Sequence, residues 1–528
     1  MNALVQASAP SASARYAVPP ALLDRLTALV AAGPRAVGRP TVSPMTGAAV
    51  AVVPQSRPAD VPLALCAARR AHQAWARQPL PHRAAVLLRV HDLVLTRQEP
   101  LLDLVQLESG KARAHAFEEI ADIALVARHY GRNGAAYLAP RRTGGAFPAL
   151  SRTVTSHHPV GVVGMVTPWN YPLSLPIGDA LPALLAGNAV LLRPDPQAAL
   201  TALYGVSLLH EAGLPAGSVQ VLVGDAEVAE AVLDHSDYVC FTGSTKVGRK
   251  VGQRAGRRLV GASLELGGKN SLYVRADADL DRAAEGAVRS CFGSAGQLCM
   301  HTERVLVHED VADGFVDRFL ARVRAMRLGT ALSYGIDMGS LAGPRQLERV
   351  RAHLADAVGK GARVLVGGRV RPDLGPYVFE PTVIDGVTAA MACRDEETFG
   401  PLVALYRVTS DAHAVAVAND TEYGLHAAIW TRDVPAARRL AGQLVTGTVS
   451  INEGYAAVWG SAGAPLGGRK DSGVGRRHGP EGIRRFTEVQ NVTSQHGLGF
   501  GPPRGLSDAG WTRTMTGALR AMKTLGLR

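Results

Sequence analysis

The stretch 160–194, "VGVVGMVTPWNYPLSLPIGDALPALLAGNAVLLRP", decides the fold, because two short apolar runs flank a segment with helical spacing. Two further apolar runs, "VQVLVG" (219–224) and "DYVCFTG" (237–243), follow at intervals that leave room for helices. Short β-branched runs that alternate with helical stretches are the pattern of βαβ units with a parallel sheet. A second such series extends from "SLYV" (271–274) to "GTVSIN" (447–452), so the sequence predicts two α/β domains.

Size and composition indicate a globular protein with room for two or three domains. The chain has 528 residues, of which 47% are hydrophobic and 19% are charged. No run approaches the roughly 18–20 uninterrupted apolar residues that span a bilayer, so we expect no integral membrane segment. The N-terminal stretch lacks a basic region followed by an apolar one, which argues against a secretory signal.

Charge and cysteine content narrow the function classes further. The formal net charge is +12, but the basic residues are scattered and lack interleaved aromatics, so we expect no nucleic-acid binding. The five cysteines are irregularly spaced and form no C-x-x-C pair, which predicts neither a metal site nor a disulfide framework. A reducing, cytoplasmic location fits this cysteine usage best.

The stretch "GSAGQLC" (293–299) places one of these cysteines at the end of a run of small residues. A thiolate is a nucleophile, and flanking glycine and alanine residues leave room for a substrate and a cofactor at the sulfur. A single cysteine is also commonly a small buried hydrophobic residue. Taken alone, Cys299 is therefore either a catalytic nucleophile or a core residue.

Three further motifs permit chemistry, and each has a structural alternative. "FTGSTKVG" (241–248) follows a predicted strand and opens a helix, where free amides bind phosphate, although a plain strand-to-helix turn has the same pattern. In "LELGGKN", desolvation would make Glu265 a general base, whereas a helix cap or a pair with Lys269 would make it structural. In "VTPWNYP", the Asn170 amide would either donate to an oxyanion or close a turn.

Taken together and in this order, these motifs resemble the aldehyde dehydrogenase superfamily. The resemblance extends over residues 43–494 and also includes "LESGK", "EETFGP" and "PLGGRKDSGVGRRHG". Within the superfamily, "GRRLVGASLELGGKN", "CFGSAGQLC" and "GVGRRHGPEG" look like a narrower group, the actinobacterial-type NADP-dependent succinate-semialdehyde dehydrogenases. The resemblance implies an α/β aldehyde dehydrogenase fold with a Rossmann-like cofactor domain, an α/β catalytic domain and a protruding β-strand oligomerisation segment.

The predicted domain organisation follows from this resemblance and from two polar segments. Alternating residues in "SRTVTSHHPV" and "RFTEVQNVTSQ" predict strands with exposed edges, which favours a homodimer or homotetramer. A basic amphipathic helix is predicted near the C-terminus. The boundaries are 1–22 for a flexible tail, 23–142 and 162–264 for the dinucleotide-binding domain, 265–450 for the catalytic domain, 143–161 and 480–496 for the oligomerisation strands, and 497–528 for the extension with the amphipathic helix.

The resemblance implies the NAD(P)-dependent oxidation of an aldehyde to a carboxylic acid. Cys299 would attack the aldehyde, the Asn170 amide would hold the oxyanion, and Glu265 would activate the water that hydrolyses a thioester. A non-catalytic structural relative is the alternative from another class, and it should lack one of these three residues. The implied cofactor-binding positions are Thr167, Pro168, Trp169, Arg193, Gly243, Ser244, Gly248, Leu266, Gly267, Glu397 and Phe399.

Cofactor preference depends on a departure from the family pattern in "LLRPDPQ" (191–197). Arg193 stands where the family usually has a lysine, and Pro196 stands where many NAD-preferring members have a glutamate. Loss of that carboxylate removes repulsion against a 2′-phosphate, and an arginine pairs well with phosphate. We therefore predict NADP as the preferred cofactor, with NAD as the alternative.

The resemblance implies a substrate, but two positions depart from the pattern of the narrower group. Succinate semialdehyde is the expected small-molecule aldehyde, yet the two carboxylate-binding arginines of that group are replaced by Gly178 and Gly293. A broad-specificity dehydrogenase of medium-chain or aromatic aldehydes is therefore the alternative. The predicted substrate pocket consists of Leu175, Gly178, Leu298, Met300 and Trp459.

Overall fold

The computed structural model describes residues 17–145, 150–497 and 499–526. These residues form two compact units. The larger one, here called the core unit, contains residues 17–137 and 159–486. The smaller one, the strand unit, contains the other described residues.

The helices belong to the core unit, except for the last one. None within the described ranges is both long and apolar enough to cross a bilayer. The helices are α1 (Pro20–Thr27), α2 (Val61–Trp75), α3 (Leu80–Thr96), α4 (Gln98–Ser109), α5 (Arg113–Leu138), α6 (Ser174–Leu185), α7 (Ala199–Glu211), α8 (Ala226–His235), α9 (Thr245–Arg258), α10 (Leu280–Phe292), α11 (Ala312–Arg324), α12 (Pro344–Gly359), α13 (Ala392–Asp395), α14 (Asp411–Asn419), α15 (Val434–Ala441), α16 (Ala456–Trp459), α17 (Gly479–Arg484) and α18 (Asp508–Thr524).

The strands form two large sheets and three small ones. They are β1 (Gly38–Val42), β2 (Ala49–Pro54), β3 (Arg141–Gly144), β4 (Ser151–Pro159), β5 (Val162–Thr167), β6 (Ala189–Pro194), β7 (Val219–Val221), β8 (Tyr238–Thr242), β9 (Gly261–Glu265), β10 (Asn270–Val274), β11 (Thr302–His308), β12 (Arg363–Val366), β13 (Thr382–Asp385), β14 (Leu402–Val408), β15 (Tyr423–Gly424), β16 (His426–Trp430), β17 (Thr448–Ile451), β18 (Arg469–Lys470), β19 (Gly473–Val474) and β20 (Thr487–Gln495).

The stretch 160–194 forms the centre of a six-stranded sheet with the order β19-β9-β8-β5-β6-β7. β5 and β6 are parallel, and α6 joins them. Every residue of β5 is buried, as expected for a strand that is covered on both faces. β8 pairs in parallel with the other side of β5, so the strand order reverses between them. At such a switch point the carboxyl ends of the strands open a crevice for ligands.

The second predicted α/β series forms a seven-stranded sheet with the order β12-β13-β14-β11-β10-β16-β17. All neighbouring pairs are parallel except β12 and β13 at the edge. Beside this sheet, Phe319 stacks on both Phe292 and Phe315, with ring centroids 6.2 and 5.6 Å away. The prediction of two α/β series is thus confirmed, and each sheet is parallel except at one edge, where β19 is antiparallel to β9 and β12 is antiparallel to β13.

The strand unit contains the three-stranded sheet β20-β4-β3 and helix α18. All residues of β20 after Thr487 are exposed in the single chain. In α18, Trp511 is the buried residue, and its indole N–H donates to the carbonyl of Phe500 over 2.8 Å. A helix therefore lies where the amphipathic helix was predicted, although Leu519 of its apolar residues is exposed in the single chain.

Two predicted boundaries differ from the structure. The segment 480–496 was expected to be strand, but its first residues belong to α17. Pro480 favours the first turn of a helix, and Gly479 beside it has a φ of 58°. Because this helix extends to Arg484, the strand begins only at Thr487. The predicted tail 1–22 ends earlier, because α1 begins at Pro20; residues 1–16 of that prediction lie outside the described residues.

Candidate active site

A pocket of about 210 Å³ lies at the switch point between β5 and β8. Trp169 and Asn170, which follow β5, line one side, and Gly243 and Ser244, which follow β8, line another. The structure brings most of the predicted site residues together here: Cys299, Glu265, Asn170, Pro168, Trp169, Gly243, Ser244, Leu266, Gly267, Glu397, Phe399, Leu175, Leu298 and Trp459.

Cys299 follows a turn that requires small residues. In this turn Ser294, Ala295 and Gly296 have positive φ angles of 51°, 55° and 72°. A Cβ at Gly296 would lie 2.3 Å from the carbonyl oxygen of Gly400, so this position accepts only glycine. The small residues before Cys299 therefore serve the turn, and the turn presents the cysteine to the pocket.

The Cys299 side chain is half-buried and forms no disulfide with the other cysteines. Burial raises the pKa of this thiol to about 12, and the negative fields of Glu265 and Glu397 act in the same direction. At neutral pH the thiol is therefore protonated. Attack on a carbonyl carbon requires a nearby base that removes this proton.

The Asn170 side chain lies against the loop that carries Cys299. Its Nδ2 donates to the carbonyl of Gln297 over 3.0 Å. A side-chain amide has two donor hydrogens, so this bond fixes the amide and leaves a second N–H. Asn170 therefore has a structural role, which was one of the two predicted alternatives, and it is also a candidate donor to an oxyanion.

A buried ion pair positions Asn170, and the sequence analysis did not identify it. The Lys111 ammonium donates to Glu119 and to the backbone carbonyl of Asn170, each over 2.7 Å. It also lies 3.6 Å from the centroid of the Tyr171 ring. Lys111 belongs to the "LESGK" motif, which could have drawn attention to this lysine. Its partners Glu119 and Asn170 lie outside the motif and cannot be identified from it.

Glu265 is the last residue of β9 and lines the pocket, and its buried Oε1 has no hydrogen-bond partner among the described residues. Burial raises the pKa of Glu265 to about 7, against the opposing field of Arg477 and Arg485. The alternative partner, Lys269, is instead paired with Glu303 and donates to the carbonyl of Glu396. Glu265 is therefore available as a base near neutral pH.

The opposite wall of the pocket has the features of a dinucleotide site. Ser244 caps α9 without a side-chain hydrogen bond to it, and the first turn of this helix contains no acidic residue. Its amides are therefore suited to a pyrophosphate. Glu397 accepts a hydrogen bond from the amide of Gly268 over 2.9 Å, and burial raises the pKa of its carboxyl to about 7.

Phe399 has a φ of 55° and meets Trp169 edge to face, with ring centroids 5.7 Å apart. Glycine at position 267 lets the backbone pack closely against Glu397, because a Cβ there would lie 2.5 Å from the Glu397 carboxylate. Gln346 and Arg349 also line this wall and were not predicted. They donate to the carbonyls of Phe399 and Glu397, and both belong to α12, which carries no motif in the sequence.

Five predicted site residues do not line this pocket. Arg193 donates through Nε and a terminal nitrogen to the carbonyl of Gly224, over 3.0 and 2.6 Å. Gly248 packs against Leu266, where a Cβ would lie 2.3 Å from a methyl group. The other three are Thr167, which is buried at the end of β5, Met300, which packs among the apolar residues behind the pocket, and Gly178, which lies one turn beyond Leu175 on α6.

Fold, site and sequence all point to the same class of protein. The sequence model of the Aldehyde dehydrogenase family matches residues 34–492, and this chain belongs to that family. The predicted aldehyde dehydrogenase fold is confirmed by similar solved structures. One, a succinate-semialdehyde dehydrogenase from Burkholderia pseudomallei, has a TM-score of 0.82 at 34% identity, with 87% of this chain and 94% of that chain covered.

Two curated relatives show which members of the family are similar in sequence. A protein of Mycolicibacterium smegmatis named "Putative succinate-semialdehyde dehydrogenase [NADP(+)]" is 47% identical over 488 residues, which cover 92% of this chain and 94% of the relative. A 3-sulfolactaldehyde dehydrogenase of Pseudomonas putida is 36% identical, with 85% of this chain and 92% of the relative covered.

The buried pair of Lys111 and Glu119 gives a stability prediction. In Lys111→Met, the Glu119 carboxylate stays buried without its cation, so we expect the free energy of unfolding to fall by about 3–5 kcal/mol. Urea titration of the full chain measures this. The control is Arg254→Met, which removes a more exposed cation paired with Glu230 and Asp234 and should cost below about 1 kcal/mol. Equal losses in the two variants would contradict the prediction.

Proposed function

We propose that this chain oxidises succinate semialdehyde to succinate with NADP, with Cys299 as the nucleophile. The observation that carries the proposal is one pocket that holds the Cys299 thiol, the unpartnered Glu265 carboxylate and the Asn170 amide. The retention of all three residues argues against a non-catalytic relative. The printed names of the similar relatives support the substrate and the cofactor.

The residues on the cofactor wall fit a dinucleotide. The amides at the start of α9 would hold its pyrophosphate, and Glu397 and Phe399 would hold the nicotinamide ribose and ring. When bound, the nicotinamide supplies the acceptor for the hydride that leaves the former aldehyde carbon. Arg193 remains the candidate for the 2′-phosphate, although two of its nitrogens are engaged by Gly224, which leaves one terminal nitrogen for a ligand.

The residues of the chain perform the remaining steps. Glu265 takes the thiol proton as the sulfur of Cys299 bonds to the carbonyl carbon, and the electron pair of the C=O bond moves to oxygen. The Asn170 amide and the Cys299 backbone N–H stabilise this oxyanion. After loss of hydride the carbon is a thioester. Glu265, having released its first proton to solvent, then removes a proton from water, which adds to the carbon, and the C–S bond breaks to release the acid and the thiol.

A second candidate substrate class is an apolar aldehyde of medium length. Tyr171, Leu175, Leu298 and Trp459 form one apolar cluster beside the thiol. This cluster favours an alkyl or aryl chain. An aldehyde panel therefore has to compare anionic and apolar substrates directly.

Activity on such a panel tests the proposed reaction. We expect NADPH formation with succinate semialdehyde at a higher kcat/KM than with hexanal or benzaldehyde, and a higher kcat/KM with NADP than with NAD. Cys299→Ala should abolish oxidation, because it removes the nucleophile. Cys66→Ala, which removes an exposed cysteine far from the pocket lining, should keep the wild-type rate. A Cys299→Ala enzyme with normal turnover would refute the mechanism, and a preference for hexanal would refute the substrate.

The raised pKa of Glu265 predicts the pH dependence. The base must be ionised, and burial raises its pKa to about 7, so kcat/KM should fall as the pH drops through about 7. An ordinary glutamate would lose activity only below pH 5. Glu265→Gln should lower kcat by about 10²–10⁴-fold. A profile that stays flat down to pH 5.5 would show that Glu265 is not the base.

Assembly into a homodimer or homotetramer, and a cytoplasmic location, are part of the same proposal. The exposed strand β20 supports pairing of subunits, because Val489 and Val492 face solvent in the single chain and an edge strand can pair with another chain. Light scattering should give the mass of two or four chains. Val489→Asp should shift this mass toward one chain, whereas Val37→Asp, at an exposed valine of the core unit, should not. A wild-type mass of one chain would contradict the assembly.

A further inference from the structure

Helix α18 has an apolar face that the single chain leaves partly uncovered. The large apolar residues recur at intervals of four, four and three positions and therefore share one face: Trp511, Met515, Leu519 and Met522. Trp511 is buried, but Leu519 is 60% exposed. Leu525, which follows the last turn and continues the same face, is 71% exposed. The C-terminal half of this face is therefore available to a partner.

The opposite face of α18 is basic. Arg513 and Arg520 lie seven residues apart, which is about two helical turns, and Lys523 follows three residues later. All three side chains are exposed. The sequence contains no acidic residue after Asp508, so the positive charge of this face is not balanced within the helix.

Positive charge is concentrated in the whole part of the chain to which α18 belongs. The sequence segments 138–158 and 487–528, which contain the strand unit, have eight lysines and arginines but only two acids. Their formal net charge of +6 is half of the +12 of the chain, on about one eighth of its residues. Such an asymmetry indicates an anionic partner. The rest of the chain is also net basic, so a second copy offers no complementary net charge.

An anionic lipid surface uses both faces of the helix, whereas other partners use one. A nucleic acid would be attracted by the charge but would leave Leu519 and Leu525 in water. A protein that covered the leucines would leave the basic face pointing away from it. The potential of a charged membrane extends about 8–10 Å into the solution, which is nearly the diameter of a helix, so it also acts on cations of the far face.

We propose that α18 lies in the interface of a bilayer that contains anionic phospholipids and thereby holds the protein on a membrane surface. Leu519 and Leu525 enter the boundary between head groups and acyl chains, and the three cations stay at the level of the head groups. The helix lies along the surface and does not cross it, which agrees with the lack of a spanning helix among the described residues.

Sedimentation of the full-length protein with large vesicles tests this proposal. One preparation contains equal parts of phosphatidylglycerol and phosphatidylcholine, and the other contains phosphatidylcholine alone. We expect the partition coefficient to be at least tenfold higher for the anionic vesicles and to fall as salt screens their charge. Equal coefficients for the two preparations, or no binding to either, would overturn the proposal.

Two double variants separate the apolar from the charged contribution. Leu519→Gln with Leu525→Gln keeps the net charge and should lower partition onto the anionic vesicles at least tenfold, because it removes the apolar contacts. Arg513→Gln with Arg520→Gln keeps the leucines and should lower partition at least fivefold, because it removes two cations. Circular dichroism and melting temperature confirm that the variants are folded.

The matched control changes an exposed leucine and an exposed arginine of α2 in the core unit. Leu63→Gln with Arg70→Gln should change the partition coefficient less than twofold. An equal loss in the control and the helix variants would show that overall composition, and not α18, governs binding. Binding that survives loss of the two leucines would show that the helix does not enter the interface. If loss of the leucines lowers the mass measured by light scattering, a second copy covers them instead, and the proposal fails.

Discussion

The buried contact between Lys111 and Glu119 is the interaction on which the geometry of the pocket depends. Lys111 holds the backbone of Asn170, and the second carboxylate oxygen of Glu119 accepts from the amides of Leu173 and Ser174, over 2.8 and 3.0 Å. One ion pair therefore fixes both the turn after β5 and the start of α6. Through α6 it also places Leu175, which means that Asn170, the candidate oxyanion donor, and one apolar residue of the pocket share one support.

Low solvent access gives the pocket its electrostatic character. Burial raises the pKa of Glu265, Glu397 and Asp122 to about 7 and that of Cys299 to about 12. The Cys299 thiol is therefore uncharged near neutral pH, whereas Glu265 is about half ionised at pH 7 and can take the thiol proton. Fixed dipoles such as the Asn170 amide act strongly on developing charge in such surroundings.

Some sequence predictions were correct in outcome but incomplete in their physical reason. The small residues of "GSAGQLC" were expected to leave room around the sulfur, whereas the structure uses Ser294, Ala295 and Gly296 for a left-handed turn. An ion pair between Glu265 and Lys269 was one predicted alternative, but in the structure Lys269 pairs with Glu303. Arg193 was predicted as a cofactor residue, but it does not line the pocket, and two of its nitrogens already donate to the backbone carbonyl of Gly224. Local sequence spacing contains no information about such partners.

The sequence by itself determined the fold class and the family, and it identified Cys299, Glu265 and Asn170 as the candidate catalytic residues, which the structure brings to one pocket. Apolar periodicity and short motifs are local properties, and they remain readable without knowledge of the folded chain. The tertiary structure alone decided which groups surround these residues. Lys111 is far from Asn170 in the chain, but folding brings its ammonium to the Asn170 carbonyl and to Glu119. Burial, pKa values and charge compensation depend on neighbours through space, so the features that select a substrate appear only in the folded protein.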